Sequence, residues 1–158
     1  MLEISDEKFE QVRKKAEEFY KSIGEIWCPY FKEKVIFNSK GLEHLKFHNV
    51  RKARSRHDQY IRLRLIELAP KIINDSHTLQ GISVRNSFER EKTHSRWESV
   101  MRSAIYYEFV AVIKEVRVRT IVKSVENGQK YFWSIIPFWK MDKISGKRLM
   151  HEGSPETD

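Results

Sequence analysis

Four side chains in the C-terminal half have the types and spacing of an anion-handling site: Glu108, Arg119, Lys123 and Ser134. They fall in three successive runs rich in β-branched and aromatic residues, Tyr106 to Ile113, Val116 to Val125 and Tyr131 to Trp139. Lys114-Glu115 separates the first two runs, and Glu126-Asn127-Gly128-Gln129 the last two. Pairing the runs antiparallel through two-residue turns puts Glu108 opposite Ile121 and Ile121 opposite Ser134, with Arg119 and Lys123 flanking Ile121. Diagonal neighbours on one sheet face stand about 7–8 Å apart, so a carboxylate, two cations and a hydroxyl converge on a patch of roughly phosphodiester size. Such a group could take a proton, hold a phosphate and donate a hydrogen bond. The same spacing also fits a solvated sheet face with cross-strand ion pairs.

A second concentration lies upstream. Gly41 to His48 contains His44 and His48, four residues apart, with Lys46 between them. On a helix the two histidines would share a face, as metal ligands can, or one of these three residues would face a phosphate. Glu43 points elsewhere on the helical wheel and no third ligand is evident, so neither a metal nor another cofactor is expected. Downstream, Arg51, Lys52, Arg54, Arg56, His57, Arg62 and Arg64 form the densest basic stretch. Most read as a solvated face, but the density is that of a footprint for a phosphate backbone. Phe47 and Tyr60 are the nearby aromatics able to stack a base. The expected RNA contacts are Lys46, Arg51, Arg54, Arg56 and Tyr60, joined by Arg117 and Lys123 from the middle run. Cys28, pushed toward extended geometry by Pro29, reads as a buried structural thiol.

The elements that must position these groups follow from periodicity and punctuation. Phe9, Val12, Ala16, Phe19 and Tyr20 recur at helical spacing after Asp6-Glu7, predicting a helix over about 5–23 that stops at Gly24. Lys34 to Asn38 reads as a short strand, and Ser39 as the cap of a helical region spanning 39–75. There the apolar stripe is Ile61, Leu65, Leu68, Ala69 and Ile72, with Pro70 kinking the helix or opening its final turn. Leu79 to Arg85 could be a strand, with Gly81 at a bulge or edge, and the polar stretch Asn86 to Met101, including His94, reads as a surface excursion. The meander covers 106–139, and Asn127-Gly128 marks a type I′ turn. Its register puts Tyr131, Trp133 and Ile135 on the core side, and Phe132, Ser134, Ile136 and Phe138 on the other. A turn at Ser145-Gly146, a short edge strand at Arg148 to His151 and a disordered tail over 153–158 complete the chain. The expected architecture is a single α+β domain over 1–152, with N-terminal helices packed on one face of a C-terminal antiparallel meander.

Composition bounds the partners. A chain of 158 residues, 40% apolar and 33% charged, can bury a substantial core and is globular rather than disordered in type. A net charge of +8 and a pI near 9.6 favour polyanions, meaning nucleic acid or an anionic surface. One cysteine excludes an internal disulfide, and the absence of a signal-peptide pattern makes a cytoplasmic location the default. No apolar run approaches the 18 or so residues of a membrane span, so no membrane association is expected.

The order helix, short strand, helices, then meander with a polar centre resembles the superfamily of metal-independent ribonucleases that includes barnase, the EndoU nucleases and RelE-type toxins. Pro29 with Val35-Ile36-Phe37, Gly41-Leu42-Glu43-His44-Leu45, the Arg-rich helix to Leu68-Ala69-Pro70-Lys71-Ile72-Ile73, and Tyr131-Phe132-Trp133-Ser134-Ile135-Ile136-Pro137 look like its phage and mobile-element branch. The resemblance implies a barnase/RelE-like fold and endonucleolytic cleavage of tRNA or ribosome-associated RNA to a 2′,3′-cyclic phosphate. It places Glu108 where such enzymes keep a general base, Arg119 where they keep a phosphate-binding arginine, and Ser134 on the last strand. With no histidine on that strand, His44 or His57 would be the general acid. RNA is the expected partner, with a cognate inhibitor protein as a second. The competing expectations are a non-catalytic basic module that binds RNA or docks on the ribosome, and a protein that inhibits a nucleic-acid enzyme.

Overall fold

The computed structural model describes residues 3–49 and 51–137, together with the backbone of 140–141 and 148–149. The chain is a mixed α+β fold with an open sheet. Helix α1 (Asp6–Ile23) begins at Ser5, whose hydroxyl accepts from Lys8 N, and ends at Gly24 with φ at +68°, a conformation glycine adopts without cost. Strands β1 (Glu25–Cys28) and β2 (Glu33–Ile36) form a hairpin. Helix α2 (Ser39–Lys46) follows, capped by Asn38, not by the expected Ser39, because the Asn38 side chain reaches Gly41 N. A small hairpin of β3 (Phe47–Asn49) and β4 (Lys52–Ala53) turns the chain back into α3 (Arg56–Leu65). One 3-10 turn, Ile66–Leu68, joins α3 to α4 (Ala69–Asp75), with Pro70 in the first turn of α4 where its missing N–H costs nothing.

The remaining strands are β5 (Gly81–Thr93), β6 (Arg96–Ile113), β7 (Val116–Val125) and β8 (Tyr131–Pro137). The six-stranded sheet runs β1-β2-β8-β7-β6-β5, antiparallel except where Ile36 of β2 meets Tyr131 of β8. Two-residue strands β9 (Lys140–Met141) and β10 (Arg148–Leu149) pair with each other. Phe138, the turn expected at Ser145-Gly146 and the tail at 153–158 lie outside the described residues. Asn86 to Met101, expected as an excursion, is instead the outer half of the β5–β6 hairpin, closed by His94 and Ser95 at positive φ. The meander register holds from β6 to β7, through a turn with Lys114 and Glu115 both at positive φ, as a type I′ turn requires. In the next turn the positive φ values fall on Glu126 and Asn127, one residue earlier than Asn127-Gly128 suggested, and Gly128 N closes it on Val125 O.

The core lies between the helices and one face of the sheet. Leu63, Ile66, Ile72 and Ile73 from the α3–α4 segment pack with Phe109, Val118, Val122 and Ile135. Here β8 departs from the expected alternation. Ile121 pairs with Ser134 but Val122 pairs with Phe132, so Trp133 is an extra residue bulged out between them. The bulge reverses the facing of the strand's first half. Phe132 enters the core, stacked on Phe37 at 5.0 Å, and Trp133 joins Tyr106 and Ile121 on the opposite face.

Candidate functional site

The site grows from the edge of β8 left uncovered once β2 diverges. Helix α2 crosses there at Gly41, so close that a Cβ would collide with the Phe132 carbonyl and stand 2.6 Å from the Tyr20 hydroxyl. This close crossing lets His44, one turn on, lie flat against the indole of Trp133, with ring centroids 3.9 Å apart and planes 18° apart. The β3–β4 hairpin then returns the chain, with Arg54 N bonded to Lys46 O, and brings the Arg54 guanidinium beneath His44. Arg54 Nε donates to the His44 carbonyl at 2.8 Å, one terminal nitrogen meets His44 Nε2 at 3.0 Å, and the other meets His48 Nδ1 at 3.2 Å and Asp58 at 3.4 Å. Arginine only donates, so both histidine nitrogens accept, and neutral His44 carries its proton on Nδ1.

Asp58 and Arg62 stand four apart on α3, which turns that spacing into contact, while Arg54 reaches Asp58 from just before the helix cap Ser55. Asp58 receives Arg62 Nε at 2.7 Å as well as Arg54, while Arg62 Nη1 donates to Ser134 Oγ at 2.7 Å. Because Ser134 follows Trp133, a ring closes through Trp133, His44, Arg54, Asp58, Arg62 and Ser134. One carboxylate is shared by two guanidiniums. Ser134 and the Arg54 side chain are fully buried, whereas Asp58 keeps 34% side-chain exposure and His48 is half-buried. Desolvation first, and the Arg54 charge second, hold the His48 imidazole below its ordinary pKa.

The sheet face continues the cluster on both sides. Arg119 Nε stands 2.9 Å from Glu108 Oε2, near enough for ion pairing although the N–H is not aimed at that oxygen. Arg119 pairs in register with Ile136 and so sits diagonally from Ser134. Lys123, fully buried, donates to Glu89 at 2.5 Å and to Ser87 at 3.2 Å, and its ammonium lies 4.2 Å from the Trp133 ring centroid. Glu108, Arg119, Lys123 and Ser134 therefore share the face expected of them.

No family model, curated protein or solved structure matches this chain.

The other expected residues are distributed unevenly. His57 is exposed on the first turn of α3, while His48, beyond the end of α2, points to Arg54; the two upstream histidines do not share a helix face. Lys46 pairs with Glu17 at 3.1 Å, Arg56 with Asp6, and Tyr60 lies under Arg64; Arg51 is exposed and Arg117 half-buried. Arg54, expected as an RNA contact, is buried. Arg62 is buried too, in place of Ile61, with Asp58 and Ser134 accepting from its Nε and Nη1. Sequence reading placed Arg62 only within the basic stretch, not beside Ser134, and missed Glu89 altogether. The i, i+4, i+8 alternation Arg54-Asp58-Arg62 was a usable signal for the first, and nothing local marked Glu89. Cys28 is buried, and desolvation raises its thiol pKa. Among the described residues no helix is long and apolar enough to cross a membrane.

Proposed function

We propose that this protein is a metal-independent endoribonuclease, acting on tRNA or ribosome-associated RNA, with its reacting centre at the ring and the adjoining Glu108–Arg119 pair. The observation that carries the reading is the ring itself. With His48 attached through Arg54, it sets two guanidiniums, a hydroxyl and two acceptor imidazoles around the start of α3 and the middle of β8. Arginine forks match phosphate oxygens bidentately, so a phosphodiester would compete with Asp58 and the histidines for Arg54 and Arg62.

Attack of a ribose 2′-oxygen on phosphorus expels the 5′-oxygen from the opposite side, which requires base and acid on opposite flanks. Glu108 and Ser134 are separated by two strand spacings, about 10 Å, across Ile121. In this reading Glu108 takes the 2′-proton, and Arg119, Arg62 and Ser134 hold the phosphate. Drawing Arg54 onto the phosphate releases His44 Nε2 to bind a proton. The resulting imidazolium, steadied by the Trp133 face, delivers its proton to the departing oxygen. The barnase/RelE-like arrangement of the meander belongs to the same proposal.

The test is incubation of the purified protein with total RNA in EDTA, followed by end-group analysis. Fragments with 2′,3′-cyclic phosphate ends are expected. Intact RNA, or cleavage abolished by the chelator, would overturn the reading. His44→Ala should lower the rate per folded molecule at least about a hundredfold, the folded fraction being read from a thermal melt. A second reading is favoured by burial: Ser134 and the Arg54 side chain are fully covered, as they would be in an RNA-binding module whose ring only holds α2 and α3 to the sheet. That reading expects RNA binding without fragments.

A further inference from the structure

The outer β5–β6 hairpin projects past the helices with two unlike faces. One carries five large apolar or aromatic side chains open to solvent, Ile82, Val84 and Phe88 on β5 and Trp97 and Met101 on β6, interspersed with Asn86, Ser99 and Ser103. Phe88 is 70% and Trp97 63% exposed, values that a core position would not leave. The charges on this face are Arg90 and Lys92, and Arg90 lies over the Trp97 ring at 5.9 Å. The hairpin's carboxylates, Glu89, Glu91 and Glu98, all point the other way, where Glu89 holds Lys123 and Glu91 holds Arg102 at 2.9 Å. One face of the arm is therefore aromatic and cationic without an acid, over a strand of 13 residues, about 40 Å long.

We propose that this face docks single-stranded RNA, with bases stacked on Trp97 and Phe88 and the backbone drawn to Arg90 and Lys92. The inference rests on RNA being the partner, and it adds a place for the strand outside the ring. Charge decides the occupant. Two copies laid face to face would oppose Arg90 and Lys92 with their equivalents on chains already carrying +8, whereas a polyanion with exposed π-faces complements rings and cations together. Duplex RNA keeps its base faces internal and offers nothing to the rings. Phe88 and Trp97 are about 13 Å apart along the arm, four residues of strand, so an extended strand can reach both with Arg90 between them.

The experiment measures binding of a fluorescent 2′-O-methyl oligoribonucleotide, which lacks the attacking hydroxyl and so reports affinity without cleavage. Trp97→Ala should weaken binding about tenfold or more, and Phe88→Ala/Trp97→Ala further. Trp27→Ala, which removes an exposed ring on β1, should leave it unchanged. Thermal melts of all three should match the parent protein. Equal affinity in the double variant would overturn the proposal. So would a parent protein that sediments as a dimer, with the double variant monomeric, since the face would then join copies of this chain. Cleavage of unmodified RNA in EDTA is scored separately. Arm-dependent binding without fragments sinks only the nuclease reading, and fragments with arm-independent binding sink only this one.

Discussion

Arg62 is the residue on which the site turns, because its fork ties Asp58 to Ser134 and so joins α3 to β8. Arg62→Ala leaves a buried hydroxyl and a half-buried carboxylate without that donor. It should cost about 3–5 kcal/mol in urea unfolding, against no more than about 0.5 for Arg64→Ala on the exposed side of the same helix. His48 supplies a pH signature. Its pKa is lowered on folding from the ordinary 6.5, so the unfolded chain binds the proton more readily. The stability this imidazole contributes is fully present above 6.5 and falls as the pH drops below it toward the lowered value. Melting temperatures recorded from neutral pH downward should show that loss, and His48→Gln, which retains an acceptor but cannot titrate, should flatten it.

Among the elements, α2 and the β8 bulge act together. Gly41 permits α2 to touch the β8 backbone, and the bulge turns Trp133 toward His44 on that helix. Gly41→Ala would force the two apart. A loss of about 2–3 kcal/mol is expected, with Ser39→Ala, exposed two residues away, as the neutral comparison in thermal melts. If the nuclease reading holds, the same variant should lose cleavage beyond its loss of folded fraction, because displacement of α2 carries His44 off the indole. The bulge also explains why strict alternation misassigned Phe132 and Trp133: one inserted residue exchanges the faces of everything before it.

For the whole molecule, the positive charge is unequally available. Arg54, Arg62, Arg119 and Lys123 are buried with acids or histidines, and Lys46 and Arg56 are paired, while Arg51, Arg90 and Lys92 are exposed. RNA affinity should still fall with salt, each phosphate contact adding about 0.7 to the slope of log affinity against log salt. If the arm carries the strand, Arg90→Ala/Lys92→Ala should reduce that slope by about 1.4 in titrations at several ionic strengths, and Arg56→Ala should leave it unaltered.

The α+β class, α1 with its glycine stop, the β6–β7 register and the shared face of Glu108, Arg119, Lys123 and Ser134 were legible in the sequence. Each is set by period, punctuation or neighbours joined by a tight turn. The ring could not be read there beyond its i, i+4 spacing. Arg62 reaches Ser134 across 72 positions of chain, and the choice between solvating and burying a guanidinium depends on whether distant acceptors arrive to meet it. Tertiary packing made that choice, since the close approach of α2, the return of the β3–β4 hairpin and one bulged tryptophan supply those acceptors at the edge of β8.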